Sequence, residues 1–226
     1  MEEAGRRWPW GLVLVASGVV LVSLLVYAQD ARSRHVEDSR VGGPHAFERH
    51  QPGDPADPVA WDPCRPIRYE VNPEDGPDDA AAFVADAVAE VGRISGLDFV
   101  YEGETSRRPT PGESDPGSEP VLVAWADEDE VPDLSGDVVG VAGPVALRLG
   151  DLWRYVGGQV ALDTDLGHDL DSAAARAVLL HELGHVVGLD HVDDPTQLMF
   201  SESTFQEDFG PGDREGLVLL GQGRCF

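Results

Sequence analysis

The decisive stretch is His181-Glu182-Leu183-Gly184-His185-Val186-Val187-Gly188-Leu189-Asp190-His191, followed by Val192-Asp193-Asp194-Pro195-Thr196-Gln197-Leu198-Met199. His181 and His185 are four positions apart. On a helix that spacing puts both imidazoles on one face, a turn apart. Both can then reach one ion at about 2.0–2.1 Å. Glu182 adjoins the first of them, where it can hydrogen-bond a water held by the ion. Gly188 stands where the chain has to leave the helix, which a residue without Cβ does at least cost. The turn lets His191 come back as a third ligand. Three neutral imidazoles with one open position describe a catalytic metal site, not a closed structural one. Zinc suits them, because imidazole matches it and it brings no redox side chemistry. The other histidines stand apart, at 35, 45, 50 and 168. Incidental histidines would not be expected to fall in this frame with Glu and Gly in place.

Working outward, Asp171 or Ser172 is the expected cap of a helix running to about Val187. Upstream, Ile67 to Val71 alternates as a strand, with Ile67, Tyr69 and Val71 on one face. Pro77, Asp78 and Asp79 open a helix and place acidic residues at its positive end. Its apolar positions Phe83, Val84, Ala87, Val88 and Val91 recur at helical spacing, and Gly92 and Gly96 end it. Leu97–Tyr101, Val121–Trp125, Val138–Ala142 and Gln159–Leu162 read as further strands. A last helix runs from near Gly212 to Gly221. Residues 103–120 are polar and rich in Pro and Gly, and read as a surface insertion. The order is β-α-β-β-β-β-α, a turn, then α, with no internal repeat.

The first segment stands outside this pattern. Residues 10 to 28, WGLVLVASGVVLVSLLVYA, carry no charge and span nineteen positions. That is close to the ~20 needed to cross a bilayer. Val26-Tyr27-Ala28 also fits a signal-peptidase site. Residues 1–28 are therefore an uncleaved transmembrane anchor or a cleaved signal peptide, with the run long for the latter. Either way the remainder is expected outside the cytoplasm, on the cell membrane or secreted. Residues 29–60 hold little that is aliphatic and read as a disordered linker. The ordered domain is then expected over 61–226.

Composition narrows the function classes. A formal net charge of −26 and a pI near 4.3 exclude a nucleic-acid binder, which needs cationic contacts to phosphate. They also oppose docking on an anionic membrane surface. The chain contains two cysteines, Cys64 and Cys225, near the two ends of the domain. In an exported protein such a pair forms one disulfide. The alternative is that Cys64 is a thiolate that ligates and silences the metal.

The motif resembles that of the metzincin zinc peptidases, which carry a methionine turn as an apolar floor beneath the metal. Met199, eight residues past His191, ends HVDDPTQLMF in the manner of the matrixin (matrix-metalloproteinase-like) branch. Trp61, Ile67–Val71, the helix from Asp78, Leu97-Asp98-Phe99 and Gly212-Asp213-Arg214-Glu215 fall in matrixin-like order. The resemblance covers about 61–226 and is loose outside 181–199. It implies an α+β zincin-like fold: a five-stranded mixed sheet, an active-site helix, a Met-turn and a C-terminal helix. It implies an endopeptidase that hydrolyses peptide bonds with a zinc-activated water and Glu182 as general base. A protein or peptide substrate would lie extended along an edge strand, for which Val139, Gly140 and Val141 are the candidates.

The departures are equally legible. Pro63-Cys64-Arg65-Pro66 only echoes the family's cysteine switch, and 29–60 is too short and polar for a pro-domain. The structural zinc and calcium ligands of the family have no clear counterparts. Asp163, Asp165, Asp169 and Asp171, and the loop Asp127–Asp137, could offer calcium oxygens, against a plain solvated acidic loop. His168 has no partner histidines for a second zinc. Ser201 stands where astacin-like metzincins carry a tyrosine ligand. Three other functions compete: a catalytically silent zinc-bearing peptide binder, an anchored structural protein, and a metallohydrolase of non-peptide bonds. Glu182 speaks against the first, since binding alone needs no general base.

Overall fold

The computed structural model describes residues 42–110, 120–164, 166, 172–202 and 206–226. All lie within one compact unit, Val41–Phe226. Its centre is a five-stranded sheet built from β4 (Ile67–Asn72), β5 (Phe99–Glu104), β6 (Val121–Ala126), β7 (Gly140–Leu149) and β8 (Leu152–Asp163). Their order is β5-β4-β6-β8-β7. All neighbours pair parallel except β7, which lies antiparallel to β8 and forms an edge. This is the expected α+β, metzincin-like architecture.

The reason lies in the strands' composition. β6, VLVAWA, is buried at every position, as a strand covered on both faces must be. Val121, Val123 and Trp125 join the main core, while Ala126 meets Val131, Leu134 and Ala161 in a smaller cluster. The acidic stretch after β6 is thus no purely solvated loop. It plugs the sheet with Val131 and Leu134, 3% and 1% exposed, from a 3-10 turn at Pro132–Leu134.

Helix α1 (Ala80–Ser95) buries Val84, Ala87, Val88, Val91 and Ile94. The acidic pair Asp78 and Asp79 precedes its first turn, and Asp79 makes no side-chain capping bond. Helix α2 (Ser172–Val187) packs against α1, β7 and β8. Helix α3 (Pro211–Leu220) packs against α1 and α2. Cys64 and Cys225 form a disulfide, so a thiolate on the metal is excluded in this state.

Three expectations are corrected. The linker reading of 29–60 fails over 42–60. β1 (Ala46–Phe47) pairs antiparallel with β9 (Leu189–Asp190), and β2 (His50–Gln51) pairs with β3 (Asp54–Pro58). Val59 and Ala60 are buried, and the Trp61 indole donates to the Val186 carbonyl at 2.9 Å. The segment holds on by backbone pairing and polar anchors, which need no aliphatic side chains. The Gln51 amide, for instance, donates to the Trp153 carbonyl at 2.7 Å and accepts from its N–H at 2.8 Å. The two strands expected at 138–142 and 159–162 are a long hairpin over 140–163. Gly143, Pro144, Gly157 and Gly158 hide it in the sequence, and Pro144 is tolerated because β7 is an edge. The insertion expected at 103–120 is tied down over its first residues, with Arg107 on Glu70 and Arg108 on Glu130. Residues 111–119 lie outside the described residues, as do 1–41. Among the described residues no helix is long and apolar enough to cross a membrane.

Candidate metal centre

α2 carries His181, Glu182 and His185, and the chain reverses at once after it. Gly188 has φ 122°, in the region that side chains with a Cβ avoid, and its N–H closes on the Gly184 carbonyl at 3.0 Å. An added Cβ there would lie 2.8 Å from the Tyr155 ring. The reversal returns His191 to the two helical histidines. The three Nε2 atoms stand 3.1, 3.2 and 3.2 Å from one another.

The hydrogen bonds behind these rings assign their tautomers. His181 Nδ1 lies 2.7 Å from the Leu198 carbonyl, and His185 Nδ1 2.9 Å from the Leu189 carbonyl. A carbonyl can only accept, so both Nδ1 atoms carry the proton and both Nε2 atoms present lone pairs. With lone pairs on these two Nε2 atoms and His191 Nε2 beside them, the three rings could hold a metal ion. Tetrahedral ligands at the zinc–imidazole distance would stand about 3.3 Å apart, so the donor set fits that ion. No other trio of His, Cys, Asp or Glu among the described residues gathers so, except Asp62 with the disulfide cysteines.

Electrostatics favour the ligating state. Burial, with His185 alongside, lowers the His181 pKa to about 4, against a weaker opposing effect of the Leu198 carbonyl. His191 is also lowered, by burial and then by His185. His185 is the exception. Burial is the largest single influence and lowers it, yet Glu48, Glu182 and the Leu189 carbonyl together leave it raised. Glu182, 6% exposed, has its pKa raised to about 7 by burial.

The surroundings explain why these side chains are held. The Met199 sulfur packs on α2 at Gly184, where an added Cβ would come within 2.6 Å of it. Val192 N–H donates to the Met199 carbonyl at 3.0 Å and closes the turn. From α3, buried Asp213 accepts from the N–H groups of Leu198 (2.6 Å) and Gly210 (2.9 Å). Gln197 accepts in return from Gly212 N–H at 2.7 Å. A chain of polar contacts therefore runs from Asp213 through Leu198 to His181. β7 begins beside the helix: a Cβ on Gly140 would lie 2.9 Å from both Cγ and Oε1 of Glu182.

The structure thus brings His181, Glu182, His185, His191, Met199 and Gly140 together. Val139 is exposed just before β7, and Val141 packs against the Ala126–Leu134 cluster. Among the described residues, the calcium candidates form no group of three carboxylates close enough to share an ion. Asp127 caps its own loop at the N–H groups of Asp129 and Glu130. Asp165, Asp169, Asp171 and His168 lie outside the described residues. Sequence reasoning missed Glu48, Gly184, Gln197 and the anchoring role of Asp213. Gly184 was readable as the one small residue between the helical histidines; Glu48 left no local signal.

Three converging histidines, with a buried glutamate on the same helix and a methionine packed against it, form a group that could hold a metal ion such as zinc. Comparison with known proteins gives the narrower class. Residues 132–211 match the matrixin family model. The chain is also 42% identical over 76 residues to a probable matrix metalloproteinase of Invertebrate iridescent virus 3. That match covers 30% of this chain and 20% of the viral protein, so it spans about a fifth of the viral protein's length. The chain carries a matrixin-like metallopeptidase domain.

Proposed function

We propose that the protein is an extracytoplasmic zinc endopeptidase in which Glu182 is the general base. The observation that carries this is the buried Glu182 carboxyl beside the three converging Nε2 atoms of His181, His185 and His191. Zinc held by His181, His185 and His191 would supply Lewis acidity toward the scissile carbonyl and toward water. Glu182 takes the proton of the attacking water and returns it to the leaving amine. β7 offers its free edge to an extended substrate, aligning the peptide beside Glu182 at Gly140. Val139 and Val141 flank that point.

The location rests on the charge-free run 10–28 and on a disulfide that persists in oxidising compartments. The test uses the full chain, loaded with zinc, on a mixed denatured-protein substrate beside Glu182→Ala and a chelated sample. Cleavage lost in both controls, with zinc binding and circular dichroism retained in Glu182→Ala, is the expected result. Turnover by Glu182→Ala would refute the assigned mechanism.

A further inference from the structure

His185 is held unlike its fellow ligand on α2. The His181 Nδ1 proton goes to a neutral carbonyl, that of Leu198. The His185 Nδ1 proton is shared between the Leu189 carbonyl and the Glu48 carboxylate, Oε1 lying 2.9 Å away. Glu48 reaches the site from a segment 137 residues earlier in the chain. Several contacts fix that segment around it. Glu48 N–H donates to the Gly188 carbonyl at 3.0 Å, in the turn between the second and third histidines. Ala46 and Phe47 pair with Asp190 and Leu189. Arg49 stacks over the Trp153 ring, its guanidinium 5.2 Å from the centroid. Gln51 bonds both backbone groups of Trp153.

We propose that Glu48 is a positioning residue of the metal centre, orienting His185 and increasing its donor strength toward the ion. A carboxylate behind a ligating imidazole locks the ring's rotation and tautomer and pushes electron density toward Nε2. Losing such a partner typically weakens metal binding 10–100-fold. The residue would also tie the segment 42–51 to the metal, so that ion and N-terminal strand stabilise each other. This inference rests on the zinc-centre reading above.

The experiment measures zinc affinity of the full chain by competition with a chromophoric chelator, together with the visible spectrum of the cobalt-substituted protein. Wild type, Glu48→Ala, Glu48→Gln and Gln51→Ala are compared. Gln51→Ala weakens the docking of the same segment without touching His185. The expected result is a 10–100-fold weaker zinc affinity and an altered cobalt spectrum for Glu48→Ala. Glu48→Gln, near-isosteric and still an acceptor, is expected to fall between it and wild type, with Gln51→Ala within about twofold of wild type. Affinity in both Glu48 variants within twofold of wild type overturns the proposal. So does equal weakening by Gln51→Ala, which would assign the effect to segment docking. Absence of zinc binding by the wild type would instead overturn the zinc centre itself.

Discussion

Gly140→Ala tests the link between the edge strand and the general base. The backbone at Gly140 is not among the glycines with positive φ, so alanine fits the chain there. Its Cβ, however, would lie 2.9 Å from Glu182 Cγ, 2.9 Å from Oε1 and 3.1 Å from Cδ. Comfortable separations between such atoms are about 3.5–4.0 Å. The glutamate, buried and packed, must therefore retreat by roughly 0.5–1 Å. Misplacement of a reacting group by about 1 Å costs about 10²-fold in rate, equivalent to about 2.7 kcal/mol of activation free energy. The assay is kcat and KM on a peptide chosen from cleavage of a denatured protein, beside zinc affinity and thermal unfolding. Gly143→Ala is the control, since it lies on the same strand and an added Cβ meets nothing within 4 Å. We expect kcat to fall by one to two orders of magnitude in Gly140→Ala, with zinc affinity unchanged because Glu182 is not a ligand. Gly143→Ala should match wild type and gain a few tenths of a kcal/mol from a less flexible unfolded chain. Equal kcat for the two variants would refute the argument that Gly140 leaves room for the base.

Two further outcomes follow from the packing. Replacing Cys64 and Cys225 by serine opens a loop with a sequence separation of 161. The chain-entropy account expects a loss of about 5 kcal/mol, readable as a thermal midpoint lower by roughly 10–20 °C; a shift under ~3 °C would contradict it. Glu90 of α1 pairs with Arg93 on the same helix (Nε at 2.7 Å) and with Arg214 of α3 (3.5 Å). Its pKa is lowered chiefly by the Arg93 bond, against burial, from the ordinary 4.5. A depressed folded pKa means that stability is present above 4.5 and lost as the pH falls through the lower folded value. Wild type should therefore exceed Glu90→Gln at pH 7 by at most about 1 kcal/mol, with the gap closing in acid. Denaturant titrations at several pH values check this, and a gap that widens in acid would contradict it.

Helical and central-strand signals were readable because they depend on near neighbours. The spacing of Val84, Ala87, Val88 and Val91 places α1 correctly to within two residues at its start. The unbroken apolar run of β6 likewise announces a strand buried on both faces. Other elements are invisible for physical reasons. The β7–β8 hairpin is broken up by glycine and proline, which local propensity reads as turns. It exists because an edge strand tolerates them and because long antiparallel pairing compensates. Apart from Val59 and Ala60, with Ala46 and Phe47 packed against the core, the segment 42–60 is held by backbone bonds and polar anchors, so a reading based on apolar content misses it. Val131 and Leu134 sit among acidic residues, and only the sheet above them explains their burial.

The metal-site motif was determined by sequence alone. Two of the proposed ligands and the proposed base share one helix, and helix geometry fixes their relative directions without help from the rest of the fold. Gly188 and the short return to His191 add the third ligand over a span too brief to be placed otherwise. Folding decided what surrounds that motif. Glu48 behind His185, Gly140 against Glu182, Met199 beneath Gly184 and Asp213 behind the Met-turn come from segments that share no local periodicity. Their approach depends on how the sheet and the helices α1 and α3 close around α2. No spacing along the chain encodes such contacts, because each is made between surfaces that exist only once the core has packed.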